Sequence, residues 1–178
     1  AVLDGTDAVM LSAETAAGKY PVETVKAMAE ACAEADKADH AMGFDTAFLD
    51  RTFTRIDQSI AMAALFAAHH MRASAIVSLT QSGSTALWVT RIDSGIPVYA
   101  LTPEESSRRR MTLFRECHPV AMQYRSYDMP AVLADVERLM LENGLVKRGD
   151  LVVITVGEPV GKSGGTNNLK IIRIGSPH

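Results

Sequence analysis

Two stretches of this sequence hold residue types that can bind an anion. The first, Thr80-Gln81-Ser82-Gly83-Ser84-Thr85, gathers four hydroxyls around one glycine, and a glycine lets backbone pass close to a ligand. It lies between the apolar run Ala75 to Leu79 and a segment bearing Leu87, Trp88 and Ile92, so it joins a strand end to a helix start. Unpaired N–H groups and the positive end of the helix dipole meet at such a start, and a phosphate is the guest that suits them. The same residues allow a plainer reading, in which Ser82 or Ser84 caps the helix and Gly83 makes the turn. Neither GxGxxG nor GxxxxGKS/T is present to decide between the two. The second stretch, Gly157 to Asn168, contains Gly161, Lys162, Gly164, Gly165 and Thr166. It can act as a flap that brings one positive charge to a ligand, or it can be a solvated hairpin.

The elements that must position these loops alternate regularly. Periodicity predicts a helix from Gln58 to about His70, the strand 75–79, a helix stopped by Gly95, and the strand 97–101. A helix over 104–114, a strand over 119–122 and a helix over 130–143 closed by Gly144 follow, and then strands over 151–156 and 169–174. Strands alternating with helices mean right-handed βαβ units, hence an α/β fold with a mostly parallel open sheet of about five strands and helices on both faces. No helix separates the last two strands, so the final one is expected to be antiparallel. Ligands of such sheets collect beyond the carboxyl ends of the strands, which puts both loops at one edge. Upstream, Ala8 to Leu11 has the pattern of a short buried strand. Pro21 suits the start of a helix running to about Ala38, with Val22, Val25, Met28, Ala29 and Cys32 on one face. Residues 39–55 lack a period and read as a connection holding at most one helical turn.

Composition excludes several classes. The chain has 178 residues, 47% hydrophobic and 22% charged, which fits a globular domain and not a disordered or fibrous chain. No apolar run approaches the roughly 20 residues of a membrane-spanning helix. The net charge of -3 gives no support to nucleic-acid or anionic-membrane binding, so any phosphate site must be local. Cys32 and Cys117 stand far apart without a CxxC or Cys/His ligand pattern, which fits a reducing, cytoplasmic location and no structural zinc. The start at Ala1-Val2-Leu3, without Met or a leader, reads as a cut from something larger. Asp4, Asp7 and Glu14 could be metal ligands but have the usual placement of turn formers. His69-His70 lacks a nearby nucleophile, and Arg108-Arg109-Arg110 wraps most of a helical turn, so the three cannot all face one ligand. Trp88, Cys117 and His118 read as packing residues.

The segment Ala1-Val2-Leu3-Asp4-Gly5-Thr6-Asp7-Ala8-Val9-Met10-Leu11-Ser12-Ala13-Glu14-Thr15-Ala16, with Gly18-Lys19-Tyr20-Pro21, resembles the last barrel strand of pyruvate kinases. The resemblance continues through Leu79 to Thr85, Arg91, Ser94-Gly95-Ile96-Pro97, Lys147 to Val153 and Gly164-Gly165-Thr166-Asn167. It implies a remnant of a (β/α)8 barrel over 1–40 and a C-terminal α/β regulatory domain over 41–178. That family passes the phosphoryl group of phosphoenolpyruvate to ADP, with Mg2+ and K+ in the barrel. The resemblance places the catalytic lysine and the metal ligands before Ala1, so no cofactor and no turnover are expected of these residues alone. It further implies that Thr80, Gln81, Ser82, Gly83, Ser84 and Thr85 hold the phosphate of an allosteric effector. Gly161, Lys162, Gly164, Gly165 and Thr166 would then belong to the loop that closes over it. Two departures from the family pattern stand out: Ala13 replaces a common Gly, and Gln123 to Asp128, with Arg125 its only cation, offers no clean match to the aromatic and basic residues that serve a second phosphate. A monophosphate, such as a sugar monophosphate or AMP, is therefore the favoured effector. The partners implied are the chain's own barrel and further copies of itself in a homo-tetramer. The competing expectation is a structural oligomerisation domain whose bend is only a capped turn.

Overall fold

A strand covered on both faces must be apolar along its whole length, and Ala75–Leu79 is buried at all five positions. The computed structural model describes residues 1–39 and 52–176. The helices are α1 (Ala13–Ala16), α2 (Pro21–Asp39), α3 (Ile56–Met71), α4 (Ser84–Val89), α5 (Glu105–Met111) and α6 (Met129–Glu142). The strands are β1 (Ala75–Leu79), β2 (Val98–Thr102), β3 (Cys117–Ala121), β4 (Leu151–Gly157) and β5 (Thr166–Arg173). They form one sheet in the order β3-β2-β1-β4-β5, parallel except for the antiparallel β4–β5 pair. The expected mostly parallel sheet with an antiparallel last strand is therefore what the chain adopts.

The two faces of β1 feed two cores. Ala75, Val77 and Leu79 join Val152, Ile154 and Val156 of β4 under Val132, Leu133, Val136 and Met140 of α6. Ile76 and Val153 point the other way, against Ala61, Ala64, Leu65 and Ala68 of α3. The helical spacing of those four residues explains why α3 forms and where it lies, and the three alanines let its backbone come close to the sheet. In the middle of the sheet Ser78 and Thr155 are register partners, both fully buried, and their hydroxyls hydrogen-bond at 2.9 Å. That bond satisfies two polar groups that would otherwise be costly to bury.

Several expectations are corrected. Ala8 to Leu11 forms no strand, and Val9 and Met10 are exposed, because a lone strand has nothing to pair its backbone or cover its side chains. The helical period of α2 holds, yet Val22 and Val25 lie exposed while Met28 and Cys32 are half-buried. Helix α4 ends at Val89 and does not reach Gly95. The Thr90 hydroxyl and the Arg91 Nε both donate to the Leu87 carbonyl, taking up an acceptor that a further turn would use. Strand β5 begins at Thr166, three residues before the expected 169, so the loop after β4 is shorter than a dozen residues. The boundary at 40/41 and most of the connection over 39–55 lie outside the described residues.

Ile154 is fully buried in a strand with neighbours on both sides, so Ile154→Ala should cost about 3 kcal/mol by loss of transfer energy and cavity formation. Urea unfolding followed by circular dichroism reads this directly, and a loss under about 1 kcal/mol would contradict the packing described.

Candidate functional site

Because β1 and β4 are parallel neighbours in register, with Ser78 beside Thr155, the residues that follow them leave the sheet side by side. The bend after Leu79 and the loop after Gly157 therefore face one another across a groove. Thr80, Gln81, Ser82, Ser84 and Thr85 line one wall, Gly161, Lys162, Gly164 and Thr166 the other, and Tyr124 closes an end. The two walls touch through Thr85 Oγ1 and Thr166 Oγ1, 2.6 Å apart and both buried. The cavity left between them is only about 10 Å³, room for about one water. Of the predicted residues, Gly83 and Gly165 stand behind the rim; Gly165 turns the loop with its N–H to the Lys162 carbonyl at 3.3 Å.

The bend is built by a tight turn. Gly83 has φ +82° and supplies the cap position of α4, without a side-chain cap. A Cβ there would lie 2.9 Å from Met111 Cγ, so both the backbone angle and the space call for glycine. Its N–H donates to Thr80 Oγ1 at 2.9 Å, and Ser84 N–H reaches Ser82 Oγ at 3.4 Å. The N–H of Thr80 goes to the Leu101 carbonyl. Among the described residues the N–H groups of Gln81, Ser82, Thr85 and Ala86 have no protein acceptor, which leaves the amide donors that an anion would use. The hydroxyls are otherwise engaged: Thr80 accepts from Gly83, Thr85 meets Thr166, and Ser84 donates to Asp57 Oδ2 at 3.1 Å. Ser84 thus has its proton committed to a carboxylate, whereas Thr80 and Ser82 only accept in these bonds and keep their own O–H donors.

Sequence reasoning missed three neighbours of the bend, Asp57, Arg110 and Tyr124. Asp57, 5% exposed at the start of α3, accepts from Arg55 Nε at 2.9 Å, from Arg55 Nη2 at 2.6 Å, from the Gln58 N–H at 3.0 Å and from Ser84. The Arg55 hydrogen bonds hold its carboxyl below the usual range, against the opposing effect of burial. Arg110 donates to the Ser82 carbonyl, so one member of the arginine run does reach the bend, while Arg109 pairs with Glu105 at 2.5 Å. Tyr124 is pushed up in pKa mainly by burial, with Tyr127 adding to the shift and Gln81 opposing it. Tyr127 in turn packs on Gly161, where a Cβ would come within 2.6 Å of its Cε1. Arg55 and Asp57 are adjacent to a predicted helix start, but nothing in a sequence signals a bond to a residue 27 positions on.

The other candidates fall elsewhere. Asp7 ties the amino-terminal segment down through Arg91 and the Arg115 N–H, and the Arg91 hydrogen bond holds its carboxyl below the usual range. Glu14 accepts from the Ser12 N–H at 3.0 Å, and no group of three His, Cys, Asp or Glu that could hold a metal ion occurs among the described residues. His70 stacks on Phe66 and hydrogen-bonds its carbonyl. Trp88 packs half-buried against the α3 core. Cys117 is buried, which pushes its thiol up to about 12, whereas His118 lies exposed beside Tyr99 and is not a core residue.

A mostly parallel α/β sheet with two facing loops beyond the carboxyl ends of β1 and β4 has the architecture of the doubly wound class. Residues 58–172 match the model of the pyruvate kinase alpha/beta domain, and residues 1–25 match that of the pyruvate kinase barrel domain. The chain belongs to the pyruvate kinase family. It is 41% identical over 175 residues to pyruvate kinase II of Salmonella typhimurium, an alignment that takes in 98% of this chain and 36% of that one. It is 43% identical over 158 residues to the pyruvate kinase of Haemophilus influenzae, covering 88% and 33%, and 39% identical over 175 residues to that of Buchnera aphidicola subsp. Baizongia pistaciae, covering 98% and 36%. The chain thus spans about a third of the length of these relatives.

Gly83→Ala should destabilise the protein by about 2 kcal/mol, from the left-handed backbone and the contact with Met111. Thermal unfolding checks it; an unchanged midpoint would mean that the bend is not held in this conformation.

Proposed function

We propose that these residues form the C-terminal regulatory part of a pyruvate kinase, the glycolytic, cytoplasmic enzyme that transfers a phosphoryl group from phosphoenolpyruvate to ADP to give pyruvate and ATP. In this reading 1–40 completes the catalytic barrel and 41–178 is the regulatory domain. The groove between Thr80–Thr85 and Gly161–Thr166 binds a phosphorylated metabolite that regulates the barrel. The observation that carries it is the convergence of two loops, separated by more than 70 residues, on unpaired amides and Lys162. Since the cavity holds about one water, the ligand enters only when the loop after β4 lifts and the Thr85–Thr166 contact parts.

One ligand phosphate is favoured over two. Lys162 is the cation on the loop, while Arg125 lies 3.9 Å from Asp135 on α6 and is not among the groove residues. A sugar monophosphate or AMP fits this distribution better than a bisphosphate. Phosphoryl transfer needs metals and positioned cations around the moving group, and the resemblance assigns the catalytic lysine and the ligands of Mg2+ and K+ to segments other than these residues. We therefore expect these residues alone to turn over no substrate. The exposed Met10, Val22 and Val25 are surface that the remainder of a barrel would cover, and the domain would help assemble a homo-tetramer.

A second reading, a structural oligomerisation domain without an effector, draws on the closed groove and on the internal bonds of Ser84 and Thr85. Thermal unfolding with AMP, glucose 6-phosphate, ribose 5-phosphate and fructose 1,6-bisphosphate separates the two. A ligand at about 100 times its Kd should stabilise by about 2.7 kcal/mol, and no shift with any of them supports the structural reading. Ser84→Glu should abolish that stabilisation while the fold persists, because a second carboxylate would stand beside Asp57 where the anion must sit. Unchanged effector affinity in this variant would remove the bend from the site.

A further inference from the structure

Behind the groove, one hydroxyl away, lies a feature opposed to its proposed use. Asp57 is a buried carboxylate directly behind the bend, and one of its oxygens, Oδ2, accepts from both Ser84 Oγ at 3.1 Å and Arg55 Nη2 at 2.6 Å. A serine hydroxyl has one proton. With that proton on Asp57, Ser84 offers a phosphate only lone pairs. Arg55 is likewise engaged by Asp57 on two nitrogens, and its side chain is 55% exposed. Resting on the reading of the groove as a phosphate site, we infer that Asp57 is a specificity-determining residue. It competes with bound phosphate for the Ser84 proton and the Arg55 guanidinium, and so keeps the affinity for a bare phosphate low.

The consequence is selective. Inorganic phosphate brings only its oxygens and must displace Asp57 from both partners with no other contacts to help. A phosphate ester adds contacts from its remaining groups along the Tyr124 and Lys162 end of the groove. A built-in like charge raises the threshold for every anion, and only a ligand with those added contacts passes it. Arg55 has a supporting role in this arrangement, since it neutralises Asp57 in the empty groove and becomes an anion partner in the filled one.

Binding of inorganic phosphate to the 178-residue chain, measured by calorimetry for the unaltered protein, Asp57→Asn, Ser84→Ala and the double variant, tests this. Asp57→Asn should tighten phosphate binding by about tenfold, the scale of one freed charge-assisted hydrogen bond. Ser84→Ala should change it less than about threefold alone, yet remove most of the gain when combined with Asp57→Asn. Arg55→Gln, a change at a largely exposed side chain, should weaken binding several-fold and serves if Asp57→Asn does not fold. Phosphate bound equally or more weakly by folded Asp57→Asn, or unaffected by Arg55→Gln, overturns the inference and leaves the groove as a phosphate site. Should none of the proteins bind inorganic phosphate, Asp57→Asn included, while phosphate esters also fail to stabilise the fold, the groove reading falls and this inference with it.

Discussion

The pairing of β1 with β4 is the constraint on which the rest of this structure depends. Two strands far apart in sequence lie parallel, in a register fixed by Ala75 on Val152 and Ser78 on Thr155. The buried hydroxyl bridge between Ser78 and Thr155 marks that register in the middle of the sheet. A slip by one residue would turn Val77 and Ile154 toward the wrong core and leave both hydroxyls unsatisfied. With the register set, the chain leaves β1 at Leu79 and β4 at Gly157 at the same height, and the two loops have no choice but to meet. Everything said of the groove follows from that meeting.

The electrostatics of the groove are balanced and not simply positive. Amide donors and Lys162 favour an anion, Arg110 sits against the Ser82 carbonyl, and Asp57 sets a buried negative charge a single hydroxyl away. In a chain of net charge -3 the attraction is local, built from backbone dipoles more than from side-chain cations. The closed state is also held by contacts of its own: Thr85 to Thr166, Tyr127 on Gly161, and the Asn167 side chain, which exchanges two hydrogen bonds of 2.9 Å with the Glu158 backbone. In the proposed reading a ligand competes with these contacts, which would link occupancy of the groove to the position of the loop.

How much of this was legible in the sequence depends on the range of the interaction. The alternation of strand and helix patterns is local, and it yielded the five strands, the antiparallel last pair and the shared edge of the two loops. Residues 80–85 and 161–166 were likewise identifiable, because glycines and hydroxyls between an apolar strand and a helix have a local meaning. What the sequence hid was partnership across distance. Asp57 to Ser84 and Thr85 to Thr166 engage hydroxyls of the bend, Arg110 to Ser82 engages a backbone carbonyl, and none carries a periodic signature. The stretch Ala8 to Leu11 misled for the opposite reason: its composition is that of a strand, but no neighbour among the described residues pairs with it. Family resemblance implied a ligand class where residue types alone left open an anion cradle or a capped turn.

The central claim is that both loops form one anion site, and titration of the uniformly 15N-labelled chain with ribose 5-phosphate, followed by amide chemical shifts, tests it most directly. The account predicts that Gln81, Ser82, Thr85 and Ala86 shift together with Gly161 to Thr166, along one saturable curve with a single Kd. Shifts confined to one loop, or spread over exposed arginines and lysines without saturation, would contradict it.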